Sequence, residues 1–320
     1  MSDVPGDQGA YLKRHFAKIV DDPSTAIPIG NGRINFSSLH YKFDLTAERA
    51  IFVRDWDSMN GTLLAVVIST GTIDRIEGTA VVVAPGVALC AAHVVKPHWS
   101  DIGNSGKSMN CVGAIDEERL QLWTVRHITL VGSSDLAILE MELKSPFENG
   151  GTLSQVAMST RLPAVDEKLS LVGLRASAEG FERQADGIRR FSLSVIAAAG
   201  PVTAQYLNGR DRSMMPWPAL EVDCPSWGGM SGGPVFDASG KLIGLLSSSF
   251  TATELEGPSY VSLVFPALVS RLKGTGWPAG VNAALKPLIE LELCDVDRRN
   301  ALRIHEEFPD GSASYFYDPW

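Results

Sequence analysis

No stretch of this sequence comes near the roughly 18 consecutive apolar residues that a membrane-crossing helix needs, so no membrane partner is expected. Cysteine is scarce, with only Cys90, Cys111, Cys224 and Cys294. The opening residues, Met1-Ser2-Asp3-Val4-Pro5-Gly6-Asp7, lack the basic segment and apolar core of a secretory signal. So few cysteines without an export signal read as free thiols rather than a disulfide framework, and the expected location is cytoplasmic. Basic charge is thin too: 28 Lys and Arg against 37 Asp and Glu leave a net charge of −9. The pairs Lys13-Arg14, Arg189-Arg190 and Arg298-Arg299 are too short to make a basic patch, so a general nucleic-acid binder is excluded. No cofactor and no metal are expected.

What the chain does have is apolar content, 45% over 320 residues, enough to bury a large core in two units at the usual prior of about 150 residues per domain. From residue 63 the pattern is that of short strands. Runs rich in Val, Ile and Ala at 63–69, 78–84 and 87–91 are separated by turns such as Ala84-Pro85-Gly86, and further runs lie at 120–131 and 136–143. A second set falls at 169–174, 191–199, 220–224, 235–236, 242–247 and 260–263, with the connection between the sets inside 144–163. Pro266 suits the first turn of a helix over 266–273. Residues 11–20 carry a helical stripe at Leu12, Phe16, Ile19 and Val20, and 281–293 reads as another amphipathic helix interrupted at Pro287.

Three stretches carry residue types with chemical potential. Gly228-Gly229-Met230-Ser231-Gly232-Gly233-Pro234 puts a serine on a turn whose Cβ-free neighbours let backbone N–H groups approach a small anion; alone, it reads equally as a surface turn. In Ala91-Ala92-His93, small neighbours would let the imidazole sit in a crowded cleft, although such a histidine is more often a packed strand-end residue. Asp135 opens the apolar run Leu136-Ala137-Ile138-Leu139, where an acid is usually a solvated turn residue. Cys224 and His98, the latter five residues after His93, are weaker candidates for nucleophile and base, because no glycine-rich turn surrounds the first and the second sits in a polar loop.

Taken together and in this order, His93, Asp135 and Ser231 with their flanking residues resemble the chymotrypsin-like (trypsin-like) serine peptidases. The resemblance spans residues 63–273 and is nearest to bacterial HtrA-type peptidase domains without the peptide-binding PDZ domain. It implies an all-β fold of two antiparallel six-stranded β-barrels. In domain terms it implies a peptidase domain over 61–273 with barrels at about 61–145 and 164–273; it leaves unexplained an N-terminal extension over 1–60 and a C-terminal extension over 274–320, both of which are expected from their apolar patterns to contain helices. It implies serine endopeptidase activity, with Ser231 as nucleophile, His93 as base, Asp135 orienting the imidazole, and the N–H groups of Gly229 and Ser231 as the oxyanion hole. The alternative is a catalytically silent peptidase fold kept as a binding scaffold.

The departures from the digestive enzymes matter. Met230 stands where those enzymes have the aspartate that pairs with a new N-terminus after zymogen cleavage, so activation by that ion pair is not expected. Pro225 stands where trypsin has its pocket aspartate, so cleavage after Lys or Arg is not expected either. The implied substrate-binding residues are Pro225, Trp227, Ser247, Ser248 and Ser249, with Ser249 in a place where large-pocket members have glycine. A protein or peptide substrate with a small or medium uncharged residue before the cleaved bond is therefore expected. A regulatory protein contacting the N- or C-terminal extension is the other expected partner.

Overall fold

In a computed structural model of the chain, the described residues are 14–17, 35–42, 50–53, 56–70, 74–101, 107–116, 119–132, 134–145, 152–183, 189–249, 258–273, 287–290, 294–308 and 313–318. Six strands build the first barrel: β1 (Leu63–Ser69), β2 (Asp74–Ala84), β3 (Val87–Ala91), β4 (Ser108–Ala114), β5 (Leu120–Leu130) and β6 (Leu136–Leu143). They close in the order β1-β2-β3-β6-β5-β4, every pairing antiparallel. Six more build the second: β7 (Lys168–Arg183), β8 (Arg189–Tyr206), β9 (Ala219–Val222), β10 (Pro234–Phe236), β11 (Leu242–Ser249) and β12 (Ser259–Leu263). Their order, β7-β8-β9-β12-β11-β10, repeats that of the first barrel, and Ser170↔Phe236 with Leu171↔Val235 closes the ring. The all-β reading with two six-stranded antiparallel barrels therefore holds, and the helices among the described residues are few and short.

The continuous apolar character of β1, β3 and β6 follows from cover on both faces. Side chains alternate along a strand. One set, including Leu64, Val66, Ala88, Cys90, Ala137 and Leu139, packs as the first barrel's own cluster around Trp123 and Met141. The other set, including Leu63, Ala65, Leu89, Leu136 and Ile138, joins a larger cluster that contains the second barrel's Leu171, Val235 and Leu245. Each leucine or isoleucine among them contributes about 1.5–3 kcal/mol on burial, so the seam between barrels is a core in its own right. By contrast, β5 alternates between buried residues (Gln121, Trp123, Val125) and partly exposed ones (Leu120, Leu122, Thr124), with one face toward water.

The terminal segments are stitched on by further strands. Ala50–Val53 and Arg14–Ala17 pair antiparallel with β8, and Asn35–Leu39 pairs parallel with Thr152–Val156. Met158–Ser159 pairs parallel with both β11 and Val296–Asp297. Tyr41 donates its hydroxyl to the Met59 carbonyl at 2.8 Å, and Tyr317 donates to the Thr160 carbonyl at 2.7 Å while its ring stacks on Phe265 at 4.1 Å. No helix among the described residues is long and apolar enough to cross a membrane.

Several local expectations need correction. Arg14–Ala17 is strand rather than helix, because β8 runs past the barrel and offers a free edge of backbone donors and acceptors to pair with; the rest of 11–20 lies outside the described residues. The helix at Pro266 is a single turn, Phe265–Leu268, after which Ser270 bonds back to the Pro266 carbonyl at 3.0 Å and Arg271 bridges to Pro287. Within 281–293 only 287–290 is described, and Leu288–Glu290 there forms one 3-10 turn. The connection inside 144–163 carries two short strands, and the aromatic tail is a hairpin of Leu302–Glu307 with Ala313–Tyr317.

Candidate active site

The seam between the barrels gathers the predicted residues. β3 ends at Ala91 and turns at once into a short helix, Ala92–Val95, that carries His93. Asp135 sits just before β6, and because Ala91 is in register with Leu136, the two side chains arrive side by side. The Asp135 carboxylate accepts a hydrogen bond from the His93 backbone N–H at 3.0 Å through Oδ1 and meets His93 Nδ1 at 2.8 Å through Oδ2. Ser247 on β11 of the other barrel donates its hydroxyl to the same Oδ2. Asp135 is 8% exposed while the imidazole is 47% exposed, so the acid is enclosed and the ring opens outward. An ionised carboxylate only accepts, which places the proton on Nδ1 and leaves the Nε2 lone pair free.

Ser231 sits on two consecutive turns. Met230 N–H bonds to the Trp227 carbonyl at 3.1 Å, and Gly233 N–H bonds to the Met230 carbonyl at 2.8 Å. The third residue of each turn, Gly229 with φ of 94° and Gly232 with φ of 82°, occupies the left-handed region that a type II turn demands. Gly232 is tied down a second way. A Cβ there would come within 2.2 Å of the Thr79 carbonyl and 2.9 Å of the Ala91 nitrogen, so the serine turn lies directly on the strand end that leads to His93. Among the described residues, the N–H groups of Gly229 and Ser231 donate to nothing, and no hydrogen bond joins the Ser231 hydroxyl to His93. Serine–histidine bonds in ligand-free sites are often loose and tighten only when substrate is bound.

The two predicted substrate-binding segments meet across β12. Pro225 and Trp227 are buried, and next to them Ser259 of β12 donates its hydroxyl to the Cys224 carbonyl at 2.7 Å and lies 3.0 Å from the Ser226 hydroxyl, which is free to donate to it. Ser248 is in register with Tyr260 and Ser249 with Ser259; the Ser249 side chain lies outside the described residues. Ser247 differs from expectation, since its hydroxyl turns inward to Asp135 rather than outward to a peptide. Nothing in the run Ser247-Ser248-Ser249 distinguishes its first member; only the pleat does. None of the five predicted substrate-binding residues carries a charge.

The weaker candidates are placed elsewhere. All four cysteines are free and buried. Burial pushes the Cys111 and Cys294 thiols up to about 12 and raises Cys90 well above the ordinary range, which suppresses the nucleophilic thiolate in all three. Cys224 turns its sulfur to the Pro225 carbonyl at 3.5 Å. The His98 ring faces Glu77 at 3.8 Å. Among the described residues there is no cluster of three or more His, Cys, Asp or Glu able to hold a metal ion.

Residues 78–245, just over half of the chain, match the sequence profile of the trypsin-like peptidase domain. No curated protein matches the sequence. Among solved structures, the protease domain of MamO from Magnetospirillum magneticum is similar with a TM-score of 0.42 and 14% identity, over 64% of this chain and 93% of that one. The Rv3671c protease from M. tuberculosis in its active form gives 0.40 and 14%, over 64% and 77%. The HtrA-type protease AlgW with a tripeptide gives 0.39 and 18%, over 65% of this chain and 58% of AlgW, so less than two thirds of that protein is covered.

Proposed function

Because this chain belongs to the trypsin-like peptidase family, we propose that it is a serine endopeptidase in which Ser231 attacks, His93 carries the proton and Asp135 holds the ring. The observation that carries the reading is the 2.8 Å contact between His93 Nδ1 and an Asp135 carboxylate that accepts two further donors from both barrels. A serine hydroxyl is a weak nucleophile at neutral pH, and Nε2 of neutral His93 is the base that takes its proton as the bond to the substrate carbonyl carbon forms. Asp135 steadies the imidazolium that results. The carbonyl oxygen, now anionic, takes the unengaged N–H groups of Gly229 and Ser231. Collapse of the tetrahedral intermediate breaks the peptide C–N bond, the imidazolium protonates the leaving amine, and water repeats the sequence on the acyl-enzyme.

The uncharged residue types at Pro225, Ser226, Trp227, Ser248 and Ser259 support a small or medium uncharged residue before the cleaved bond. The four free, buried cysteines support a reducing compartment, and we assign the protein to the bacterial cytoplasm; we assign the terminal extensions to a regulatory protein partner, because their strands pair directly onto β8 and, through Met158–Ser159, onto β11. The alternative, a silent scaffold, is favoured by one observation, the absence of a bond between the Ser231 hydroxyl and His93. A panel of peptides differing only in the residue before the scissile bond, turned over by wild type and Ser231→Ala, tests the proposal. Cleavage after Ala or Val that vanishes in the variant supports it. Strongest cleavage after Arg or Lys overturns the specificity, and equal turnover by both proteins overturns Ser231 as nucleophile.

A further inference from the structure

A buried threonine on the first barrel holds the serine turn of the second. Thr79 lies on β2 with none of its surface exposed. Its hydroxyl donates to the Gly229 carbonyl at 2.8 Å and accepts the Leu174 N–H of β7 at 3.0 Å. Its own N–H donates to the Ser231 carbonyl at 2.9 Å. One residue of one barrel thus grips two carbonyls of the turn and one strand of the other barrel.

The pattern along the turn gives these bonds a consequence for the reaction. The peptide from Gly229 to Met230 is fixed at both ends, its carbonyl by the Thr79 hydroxyl and its N–H by the Trp227 carbonyl. The peptide from Ser231 to Gly232 is fixed in the same way, its carbonyl by the Thr79 N–H and its N–H by the Leu246 carbonyl at 2.8 Å. The Gly228–Gly229 and Met230–Ser231 peptides, which carry the two unengaged N–H groups, alternate with these, and the second is held at its carbonyl by the Gly233 N–H at 2.8 Å. A peptide between two glycines has little steric resistance to rotation, so the direction of the Gly229 N–H depends on the anchored peptide that follows it.

Resting on the peptidase reading, we propose that Thr79 is a positioning residue for the oxyanion hole: its hydroxyl couples β7 to the Gly229 carbonyl and keeps the Gly229 N–H aimed at the developing oxyanion. It touches no substrate. Its contribution is to have the donor in place before the charge appears, the condition under which such donors act strongly.

Thr79→Val keeps the shape and removes the hydroxyl, and Thr79→Ser restores it. With a peptide anilide bearing alanine before the scissile bond, Thr79→Val is expected to lower kcat by about 10²-fold, within the 10²–10³ range for losing one oxyanion donor, and to leave KM within about twofold. Thr79→Ser is expected to stay within about threefold of wild type in kcat. Amide hydrogen exchange followed by NMR supplies a readout independent of turnover: the Leu174 and Met230 amides lose protection in the Val variant and keep it in the Ser variant. An active wild type together with a Val variant of unchanged kcat overturns the positioning role and leaves the peptidase reading standing. Unchanged Leu174 and Met230 protection in the Val variant overturns the coupling itself. A wild type without turnover overturns the peptidase reading, and the positioning role with it.

Discussion

Replacing Asp135 by asparagine changes one atom and, by the hydrogen-bond inventory of the site, reverses the chemistry of its neighbour. Three donors converge on the carboxylate: the His93 N–H on Oδ1, and His93 Nδ1 with the Ser247 hydroxyl on Oδ2. Asparagine can occupy this place in two ways. With its carbonyl toward Nδ1, its NH₂ faces the His93 backbone N–H, donor against donor, in an enclosed position. With its NH₂ toward Nδ1, the carbonyl accepts the His93 N–H and the NH₂ donates both to Nδ1 and to a Ser247 hydroxyl free to rotate and accept. The second arrangement satisfies every partner and is therefore preferred. It forces the imidazole proton onto Nε2, where the ring can no longer take one from Ser231. The expected result is a fall of about 10⁴ in kcat, the size of a tautomer effect, with little change in thermal stability. Single-turnover acylation by a peptide ester, alongside a melting curve, measures both. A variant acylating within tenfold of wild type would show that Asp135 does not set the tautomer, and the account of the site would fail.

Other perturbations follow from the same contacts. Gly232→Ala adds a methyl group 2.2 Å from the Thr79 carbonyl at a φ of 82°, so it is expected to lower stability by at least the 1–2 kcal/mol or so of a left-handed residue and to suppress labelling of Ser231; denaturant unfolding and probe labelling check this. A thiol reagent such as dithionitrobenzoate is expected to react with none of the four buried cysteines in the native protein and with all four in denaturant; prompt native reactivity would contradict the packing. Burial opposes ionisation of Asp237, but hydrogen bonds from Ser239 and the Lys241 N–H, together with the Arg161 guanidinium, more than offset it and hold the carboxyl below its usual value. A carboxyl depressed in the folded state stabilises above its unfolded pKa, near 3.9, and loses that contribution as pH falls through the folded value. Asp237→Asn should accordingly lower stability at neutral pH and flatten its decline below about pH 4, as read by urea unfolding at several pH values.

The barrels were legible in the sequence because strand signals are local: continuous apolar runs such as 63–69 and the turn at Pro85-Gly86 need no knowledge of distant partners. The stretches carrying His93, Asp135 and Ser231 were legible for a similar reason, since each has small or apolar neighbours that fix its local geometry. Long-range pairing was not. Arg14–Ala17 has a helical stripe around it, yet it becomes a strand because β8 leaves an edge available, and no local property of those four residues announces that edge. Ser247 was legible only as a residue of the substrate-binding strand, not as a partner of Asp135, and Thr79 was not legible as a site residue at all, for the same physical reason. Their roles depend on carboxylate and carbonyl partners more than 100 residues away in sequence, at Asp135, Gly229 and Ser231.

The central claim is that Ser231 is a nucleophile activated by His93 across the seam between barrels. Reaction of the intact protein with a fluorophosphonate, followed by mass-spectrometric mapping of the adduct, tests it most directly. The account predicts a single phosphonylated residue, Ser231, and no adduct in His93→Ala under the same conditions. An adduct on another residue, or one formed on Ser231 at the same rate without His93, would contradict it.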